Sequence, residues 1–392
     1  MPDAFILSAA RTPIGKYLGG LAEVSAPELG AVAIRDVLQR AKAPADRVDE
    51  VIIGNVLQAG VGQNPARQAS LKAGLPDTIA AVTINKVCGS GLKAVMLAAQ
   101  AVKAADADLI VAGGMESMSR APYLLFGART GWKYGDQKAV DAMIHDGLRC
   151  AFENCHMGES AEYIAGQFSV NRADQDRFAA QSQQRAAAAW DRRAFDAEIT
   201  PVVVGQGPKA KTITRDEGIR PDTTPETLAK LKPAFRADGS VTAGNSSMLS
   251  DGAAAVVVGS ARAAERLGVK PMARIMAYAT SGVAPKDIFI APVLAVRQVL
   301  DKAGLRLGDI DLFELNEAFA AQMLACGKKL ALDETKVNVN GGAIALGHPI
   351  GASGTRVLVT LLYALQARGL KRGLASLCLG GGNAVAMVVE RM

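Results

Sequence analysis

Cys88 stands between an apolar run and a helical stretch, in the segment Asn85-Lys-Val-Cys-Gly-Ser-Gly-Leu. A cysteine at the N-terminus of a helix faces free N–H groups and the positive end of the helix dipole. Both favour the thiolate, so the sequence predicts a lowered thiol pKa and a nucleophile that needs no metal. The alternative is a small buried core residue, which is the usual environment of an isolated cysteine.

Two glycine-rich segments near the C-terminus argue against that alternative. The first, residues 340–354, surrounds His348, one of only three histidines. So much glycine is unfavourable unless the backbone must turn tightly or approach a ligand, and His348 is a candidate base for the Cys88 proton. The second, Leu377-Cys-Leu-Gly-Gly-Gly, places the Cys378 thiol beside a turn rich in accessible N–H groups.

An Asn–Glu pair, Asn316 and Glu317, follows the run Asp311-Leu-Phe-Glu at a predicted strand-to-helix junction. One interpretation is a helix N-cap followed by an acid in the first turn. The other is that Asn316 holds a water or acts as an oxyanion donor. The residues by themselves leave both interpretations open.

Short apolar runs alternate with amphipathic stretches through the first third of the chain. The pattern predicts strands at residues 51–56, 80–85 and 108–113 and a helix from Leu92 to Ala105. The N-terminal apolar run lacks a preceding basic region and is too short for a signal core or a membrane span, so we predict a strand there too. This alternation is typical of layered α/β folds.

The middle of the chain has a different texture. Between about Ser119 and Gly244 charged residues, glycines and prolines are frequent, and one long helix is predicted around residues 174–190. The α/β pattern returns at Asp251. We therefore expect an inserted, partly irregular region between two α/β parts.

The last third of the chain repeats the order of the first. Cys88-Gly-Ser-Gly opens a helix that leads to the strand from Leu109, and Gly351-Ala-Ser-Gly opens a helix that leads to the strand containing Cys378. A duplicated fold would bring both glycine-rich turns to one central crevice. Chance similarity between two alanine-rich helices is the alternative.

Composition limits the class of protein. The 392 residues are 49% hydrophobic and 21% charged, which fits a globular chain of two or more packed units. The net charge of +6 comes without a lysine or arginine run and with only 5% aromatic residues, which speaks against nucleic-acid binding. Five cysteines without a framework spacing favour a reducing, cytoplasmic compartment.

Four segments together resemble the signature blocks of the thiolase family. They are Cys88-Gly-Ser-Gly, Asn316-Glu-Ala-Phe, Gly347-His-Pro and Cys378-Leu-Gly-Gly-Gly, in this order and spacing. The resemblance extends over almost the whole chain, beginning at Arg11-Thr-Pro-Ile-Gly. Such a set is far more specific than any single glycine motif.

The resemblance implies an α/β fold of the duplicated, five-layer αβαβα type with an inserted loop domain. Residues 1–118 with 250–268 would form the N-terminal half, residues 119–249 the loop domain that binds coenzyme A, and residues 269–392 the C-terminal half. The implied partners are acetyl-CoA, acetoacetyl-CoA and CoA. A homo-oligomer is expected, a tetramer rather than a dimer, with no cofactor, no metal and no membrane or nucleic-acid partner.

The resemblance also implies residue roles in a ping-pong reaction. In thiolases the residue that matches Cys88 is acylated, and the one that matches His348 accepts its proton. The residue that matches Cys378 then removes a proton from the α-carbon of a second acetyl-CoA, and the enolate attacks the acylated Cys88. One oxyanion site would be the His348 ring with a water held by Asn316, and the other the N–H groups of Cys88 and Gly380.

Further positions match the coenzyme A contacts of the family, most of them in the inserted region. These positions are Leu148, His156, Met157, Arg220, Phe235, Ala243 and Ser247, with Ala318 and Phe319 from the C-terminal half. Arg220 is expected near the nucleotide end of the ligand, where a guanidinium can stack or pair with charge.

The expected acyl pocket favours short chains. His156-Met-Gly resembles the form found in thiolases specific for acetoacetyl-CoA, so condensation of two acetyl-CoA is favoured over a degradative 3-ketoacyl-CoA thiolase of broader or longer chain specificity. Residues 286–292, Lys-Asp-Ile-Phe-Ile-Ala-Pro, depart from the Met-Gly-x-Gly-Pro usual there. Ile288 and Phe289 are therefore expected to reshape the pocket rim.

Two other functions compete with this interpretation. A condensing ketosynthase shares the duplicated fold and a nucleophilic cysteine, but usually has histidine in place of Cys378. A metal or redox protein would use Cys150, Cys155 and His156, whose spacing is not that of a recognisable ligand set.

Overall fold

Strands and helices alternate in the N-terminal part of the chain, as predicted. The computed structural model describes residues 2–392. The elements before residue 118 are β1 (Phe5–Arg11), β2 (Gly15–Lys16), α1 (Ala26–Arg40), β3 (Glu50–Gly54), α2 (Pro65–Lys72), β4 (Ala80–Ile84), α3 (Ser90–Ala104) and β5 (Leu109–Ser117). The predicted strands and helix are all present, and β5 is longer than expected because its buried run continues to Ser117.

The inserted region consists of short elements and two longer helices. They are β6 (Tyr123–Leu124), β7 (Val140–Asp141), a π-helix (Met143–Leu148), α4 (Met157–Gln167), α5 (Arg172–Asp191), β8 (Val202–Val204), β9 (Lys211–Ile213) and α6 (Pro225–Ala229). The prediction of a long helix is confirmed by α5, which begins after Asn171, whose side chain accepts a hydrogen bond from Asp174 N–H (2.8 Å).

The α/β pattern returns at Ser250 and continues to the end of the chain. The elements are β10 (Ser250–Gly259), α7 (Ala261–Leu267), β11 (Ala273–Gly282), a 3-10 helix (Pro285–Ile290), α8 (Ala291–Ala303), β12 (Leu312–Leu315), α9 (Ala320–Leu330), α10 (Ala343–Leu346), α11 (Ser353–Ala367), β13 (Arg372–Leu379) and β14 (Asn383–Arg391).

The two α/β parts have the same topology. In the N-terminal part β3 lies between its parallel neighbours β4 and β5, and β5 is followed across the sheet by antiparallel β10 and β1. In the C-terminal part β12 lies beside parallel β13, which is followed by antiparallel β14 and β11, and Val337 bridges Phe313 in parallel where β4 would be. The predicted duplication is confirmed, and chance similarity of helices does not explain it.

Helices divide the molecule into five layers. α1 and α2 cover the outer face of the N-terminal strands, α3 and α11 pack together between the two sets of strands, and α8 covers the C-terminal strands. Aliphatic residues of both sets of strands and of the central helices form one continuous core. β1 and β11 pair only at Phe5 and Ile6, which joins the strands into one ten-stranded sheet. The sequence did not predict this last contact.

Candidate active site

Cys88 lies in a tight turn between β4 and α3, at the N-terminus of a central helix. Val87 has a left-handed φ of +47°, and the Ser90 hydroxyl donates a hydrogen bond to Val87 O (2.6 Å). A side chain on Gly89 would collide with Leu379 of the C-terminal half. The glycine therefore allows the Cys88 turn to approach β13 closely.

The predicted thiolate is not the resting state of Cys88. Burial raises the pKa of the Cys88 thiol to about 12, although the N–H groups of Cys88 and Gly380 act in the opposite direction. The negative charge of Glu116 raises this pKa further. The prediction of a lowered pKa was wrong, because loss of hydration penalises the charged sulfur more than these N–H dipoles stabilise it.

His348 occupies the turn between α10 and α11, where Gly347 has a φ of +110°. Its Nδ1 lies 2.6 Å from Ser353 Oγ, and its Nε2 lies 3.4 Å from Asn316 Nδ2. Burial, with a smaller contribution from the Arg356 cation, lowers the pKa of His348 to about 3. The imidazole is therefore neutral at neutral pH and can accept a proton.

Asn316 and Glu317 follow β12 but do not cap the next helix. The N-cap of α9 is Phe319, without a side-chain hydrogen bond. The Glu317 carboxylate instead turns into the core, where it accepts a hydrogen bond from Ser182 Oγ (2.6 Å). The interpretation as a helix cap is therefore wrong, and Asn316 lies beside the His348 ring.

Cys378 lies near the end of β13, opposite Ala384 on β14. The turn that joins these strands contains Gly381 and Gly382 with φ of +80° and +82°, a conformation that strains other residues. Burial, and then the neighbouring Cys88 sulfur, raise the pKa of the Cys378 thiol well above its ordinary value. Cys378 is therefore a neutral thiol at rest, and its thiolate would be a strong base.

One cavity of about 540 Å³ brings these groups together. Cys88, His348, Cys378 and Gly380 all line it, although they lie far apart in sequence. Asn316 is not part of the lining and contacts His348 from outside it. The positions matched to coenzyme A contacts also line the cavity, namely Leu148, His156, Met157, Arg220, Phe235, Ala243, Ser247, Ala318 and Phe319.

Glu116 is a residue of this site that sequence reasoning missed. Its buried carboxylate accepts four hydrogen bonds, from Asn55 Nδ2 (2.6 Å) and from the N–H groups of Val56 (3.0 Å), Leu57 (3.1 Å) and Gly351 (2.9 Å). Since Gly351 belongs to the turn after His348, one carboxylate joins both halves beside the cavity. Burial raises the pKa of Glu116 to about 7, against the effect of these donors. The only indication of Glu116 in the sequence is a single carboxylate within the otherwise uncharged run of β5.

Similarity to known proteins in sequence and structure assigns the chain to a family. The profile "Thiolase, N-terminal domain" matches residues 4–262, and "Thiolase, C-terminal domain" matches residues 269–391. The chain belongs to the thiolase family. The acetyl-CoA acetyltransferases of Pseudomonas aeruginosa and Escherichia coli K12 are 56% and 55% identical to it, each over 393 residues and 100% of both chains. The crystal structure of the Bacillus anthracis acetyl-CoA acetyltransferase has a TM-score of 0.98 at 42% identity, covering 100% of this chain and 99% of that one.

Aromatic rings form a chain along the cavity of this thiolase. His156 stacks on Phe235 with 4.8 Å between ring centroids, and Phe235 meets Phe319 edge-on at 6.2 Å. Phe319 in turn meets Phe289 edge-on at 5.2 Å. Ile288 and Phe289 line the same cavity, so the segment that departs from the family pattern reaches the site.

Charged and polar groups tie the inserted region of the thiolase to the cavity. Ser247 N–H donates to Ala318 O (3.0 Å), which connects this region to the C-terminal half. The backbone of Arg220 is held by Gln183 Oε1 (2.7 Å), and its side chain is exposed where it borders the cavity. Lys16, which sequence reasoning did not single out, adds a second cation to the lining.

The cysteines considered for a metal site lie in a short hairpin. Cys150 N–H donates to Cys155 O (2.8 Å), and His156 Nδ1 accepts a hydrogen bond from Gly158 N–H (3.0 Å). Within residues 2–392, no group of three or more His, Cys, Asp or Glu side chains is arranged to hold a metal ion. Across the same residues, none of the helices combines the length and apolar character needed to cross a bilayer.

Proposed function

We propose that the chain is an acetyl-CoA C-acetyltransferase that catalyses the reversible Claisen condensation of two acetyl-CoA to acetoacetyl-CoA and CoA. The observation that carries the proposal is that two thiols and a neutral imidazole, those of Cys88, Cys378 and His348, border one cavity. Full-length relatives with more than half of their residues identical support the choice of reaction.

The first half-reaction transfers an acetyl group to Cys88. Nε2 of His348 takes the Cys88 proton as the sulfur attacks the thioester carbonyl, and the leaving CoA thiolate takes the proton of Cys378. The products are acetyl-Cys88, free CoA, a protonated His348 and a Cys378 thiolate. The N–H groups of Cys88 and Gly380, which act on the Cys88 sulfur, are suited to the oxyanion of the tetrahedral intermediate.

The second half-reaction forms the carbon–carbon bond. The Cys378 thiolate removes a proton from the methyl group of a second acetyl-CoA, and its raised pKa makes it a stronger base toward carbon. Protonated His348, with a water held by Asn316, stabilises the enolate oxygen. The enolate attacks acetyl-Cys88, and the departing Cys88 thiolate recovers its proton from His348. All three groups then return to their starting states.

Coenzyme A would bind to the inserted region, residues 119–249. Arg220 and Lys16 supply positive charge beside the cavity for an anionic ligand, and the cycle as written uses neither a cofactor nor a metal. We further propose a tetramer in the cytoplasm. Several large apolar side chains of the inserted region are exposed and available for subunit contacts, namely Tyr123, Phe126, Tyr134 and Phe152.

The decisive assay is thiolysis of acetoacetyl-CoA by free CoA, compared with longer 3-ketoacyl-CoA substrates. We expect kcat/KM to be highest for acetoacetyl-CoA and to fall with chain length. A maximum at longer chains would instead favour a broader degradative thiolase. No thiolysis, together with acyl transfer to a carrier protein, would favour a ketosynthase.

Phe289 provides a test of the chain-length limit. Because its buried ring lines the cavity and packs on Phe319, Phe289→Ala should open the acyl site. We expect the ratio of kcat/KM for a six-carbon over a four-carbon substrate to rise by about tenfold, the scale of one or two methylenes in an apolar pocket. Phe195→Ala is the matched control, since Phe195 is also buried but does not line the cavity. An unchanged ratio in Phe289→Ala would show that other residues limit the chain.

A further inference from the structure

The His348 ring is held in a chain of hydrogen bonds whose two ends have fixed chemical roles. At one end Asn316 Nδ2, which can only donate, lies 3.4 Å from Nε2. Nδ1 lies 2.6 Å from Ser353 Oγ, and that hydroxyl lies 2.9 Å from Pro349 O, which can only accept. Both ends therefore constrain where the single proton of a neutral imidazole resides.

We propose that Ser353 is a positioning residue that keeps the proton of neutral His348 on Nδ1 and leaves Nε2 free to accept a proton. A serine hydroxyl has one proton, and Pro349 O can be satisfied only as an acceptor. Pro349 O already accepts the N–H groups of Ala352 and Ser353 (both 2.9 Å), so it does not itself require the hydroxyl. Ser353 Oγ, however, lies within hydrogen-bond distance of both Pro349 O and Nδ1, and with one proton it can bond to both only by donating to Pro349 O and accepting from Nδ1–H. An unprotonated Nε2 also fits the contact on the other side of the ring, where it accepts a hydrogen bond from the Asn316 amide N–H.

The burial and the backbone contacts of Ser353 favour this arrangement of the hydroxyl and the His348 ring. Ser353 is fully buried in the first turn of α11, so water does not compete for its hydroxyl. Its backbone N–H also donates to Pro349 O (2.9 Å), which fixes the hydroxyl relative to the ring. Burial holds His348 neutral, so the position of one proton decides which nitrogen is the base.

This inference rests on the proposed function, in which Nε2 takes the Cys88 proton. With the opposite tautomer, Nε2 would present an N–H to the thiol and could not accept its proton. Removal of the Ser353 hydroxyl would let both tautomers be populated. Only the fraction with unprotonated Nε2 would then support acylation of Cys88.

Solid-state ¹⁵N NMR of the wild-type protein labelled with ¹⁵N-histidine reads the tautomer directly. The chain has only three histidines, and the spectrum of His348→Asn assigns the His348 signals by difference. We expect a protonated, pyrrole-type Nδ1 and an unprotonated, pyridine-type Nε2. A proton on Nε2 in the wild type would overturn the proposal. This spectrum needs no turnover, so failure of the thiolysis assay would count against the proposed function without deciding the tautomer.

Ser353→Ala tests whether the hydroxyl is responsible. We expect His348 signals from both tautomers, and a fall in kcat of about 10- to 100-fold with little change in KM, less than the loss of the whole base. Thr355→Val is the matched control, because Thr355 is buried on the same helix and its hydroxyl has no partner among the described residues. A single Nδ1–H tautomer in Ser353→Ala, or an equal loss of kcat in Thr355→Val, would contradict the assignment.

Discussion

The two halves of the molecule place equivalent positions beside the cavity but use them differently. Asn55 directly follows β3, and Asn316 directly follows the equivalent strand β12. The parallel pairings make Glu116 on β5 the counterpart of Cys378 on β13. Asn55 donates to Glu116 (2.6 Å), whereas Asn316 contacts His348 and Cys378 lines the cavity. The two halves thus share one backbone arrangement and differ in their side chains. In the N-terminal half the hydrogen bonds of Glu116 form a structural clamp, whereas the equivalent positions of the C-terminal half carry reactive groups.

The largest change in activity should come from removing each of the two thiols in turn. Cys88→Ala should abolish acyl-enzyme formation and lower thiolysis by on the order of 10⁴-fold or more, as expected for loss of a nucleophile. Cys378→Ala should still be acetylated slowly but should fail to exchange carbon–carbon bonds, since it removes the base. Mass spectrometry after incubation with acetyl-CoA locates the acetyl group. Cys155→Ala is the control, and acetyl on any residue other than Cys88 would contradict the assignment.

The clamp itself can be weakened by Glu116→Gln. An amide keeps the shape but turns an NH₂ group toward N–H donors that the carboxylate now satisfies, so the free energy of unfolding should fall by about 3 kcal/mol. Because the negative charge of Glu116 raises the Cys88 pKa, its removal should also speed alkylation of Cys88 by iodoacetamide. Urea unfolding measures the first effect, with exposed Glu23→Gln as control. Unchanged stability would mean that the halves are held together elsewhere.

Protonation of the buried His348 imidazole should change the free energy of unfolding by a smaller amount, which depends on pH. Folding lowers the pKa of His348 to about 3, so its contribution to stability is present above the unfolded pKa of about 6.5 and is lost as the pH falls. Between pH 7 and pH 5 the wild type should therefore lose about 2 kcal/mol more than His348→Asn. Urea unfolding at both pH values measures the difference. His145→Asn, with a side chain that is 48% exposed, should behave like the wild type, and an equal loss in His348→Asn would refute the assignment.

Much of the fold could be predicted from local pattern. The alternation of strands and helices, the long helix α5 and the duplicated order of elements all follow from apolar periodicity and glycine placement. The register could not be predicted in this way. The similarity between the runs Leu109-Ile-Val-Ala-Gly-Gly and Ser376-Leu-Cys-Leu-Gly-Gly aligns Leu109 with Ser376, but the strand pairings align Gly114 with Ser376. Pairing depends on the neighbouring strands, and a run of small apolar residues does not specify it.

The candidate site was predictable to the extent that its groups lie in distinctive local motifs. Cys88, His348 and Cys378 each stand beside glycines whose turns the structure contains. Glu116 was not predictable as a site residue, because its contact with Gly351 spans 235 positions of sequence. Ser353 escaped for another reason: it is one of several small residues in a glycine-rich segment, and only the hydrogen-bond geometry distinguishes it.

The sequence by itself determined the kinds of elements, their order and the turns that present two thiols and an imidazole, because these depend on backbone preferences and local periodicity. Only the tertiary structure decided that Cys88 and Cys378 rest as neutral thiols and His348 as a neutral base. The cost of removing a charge from water depends on every atom around it. For Cys88, burial raises the thiol pKa more than the helix N-terminus, which the sequence predicts, lowers it.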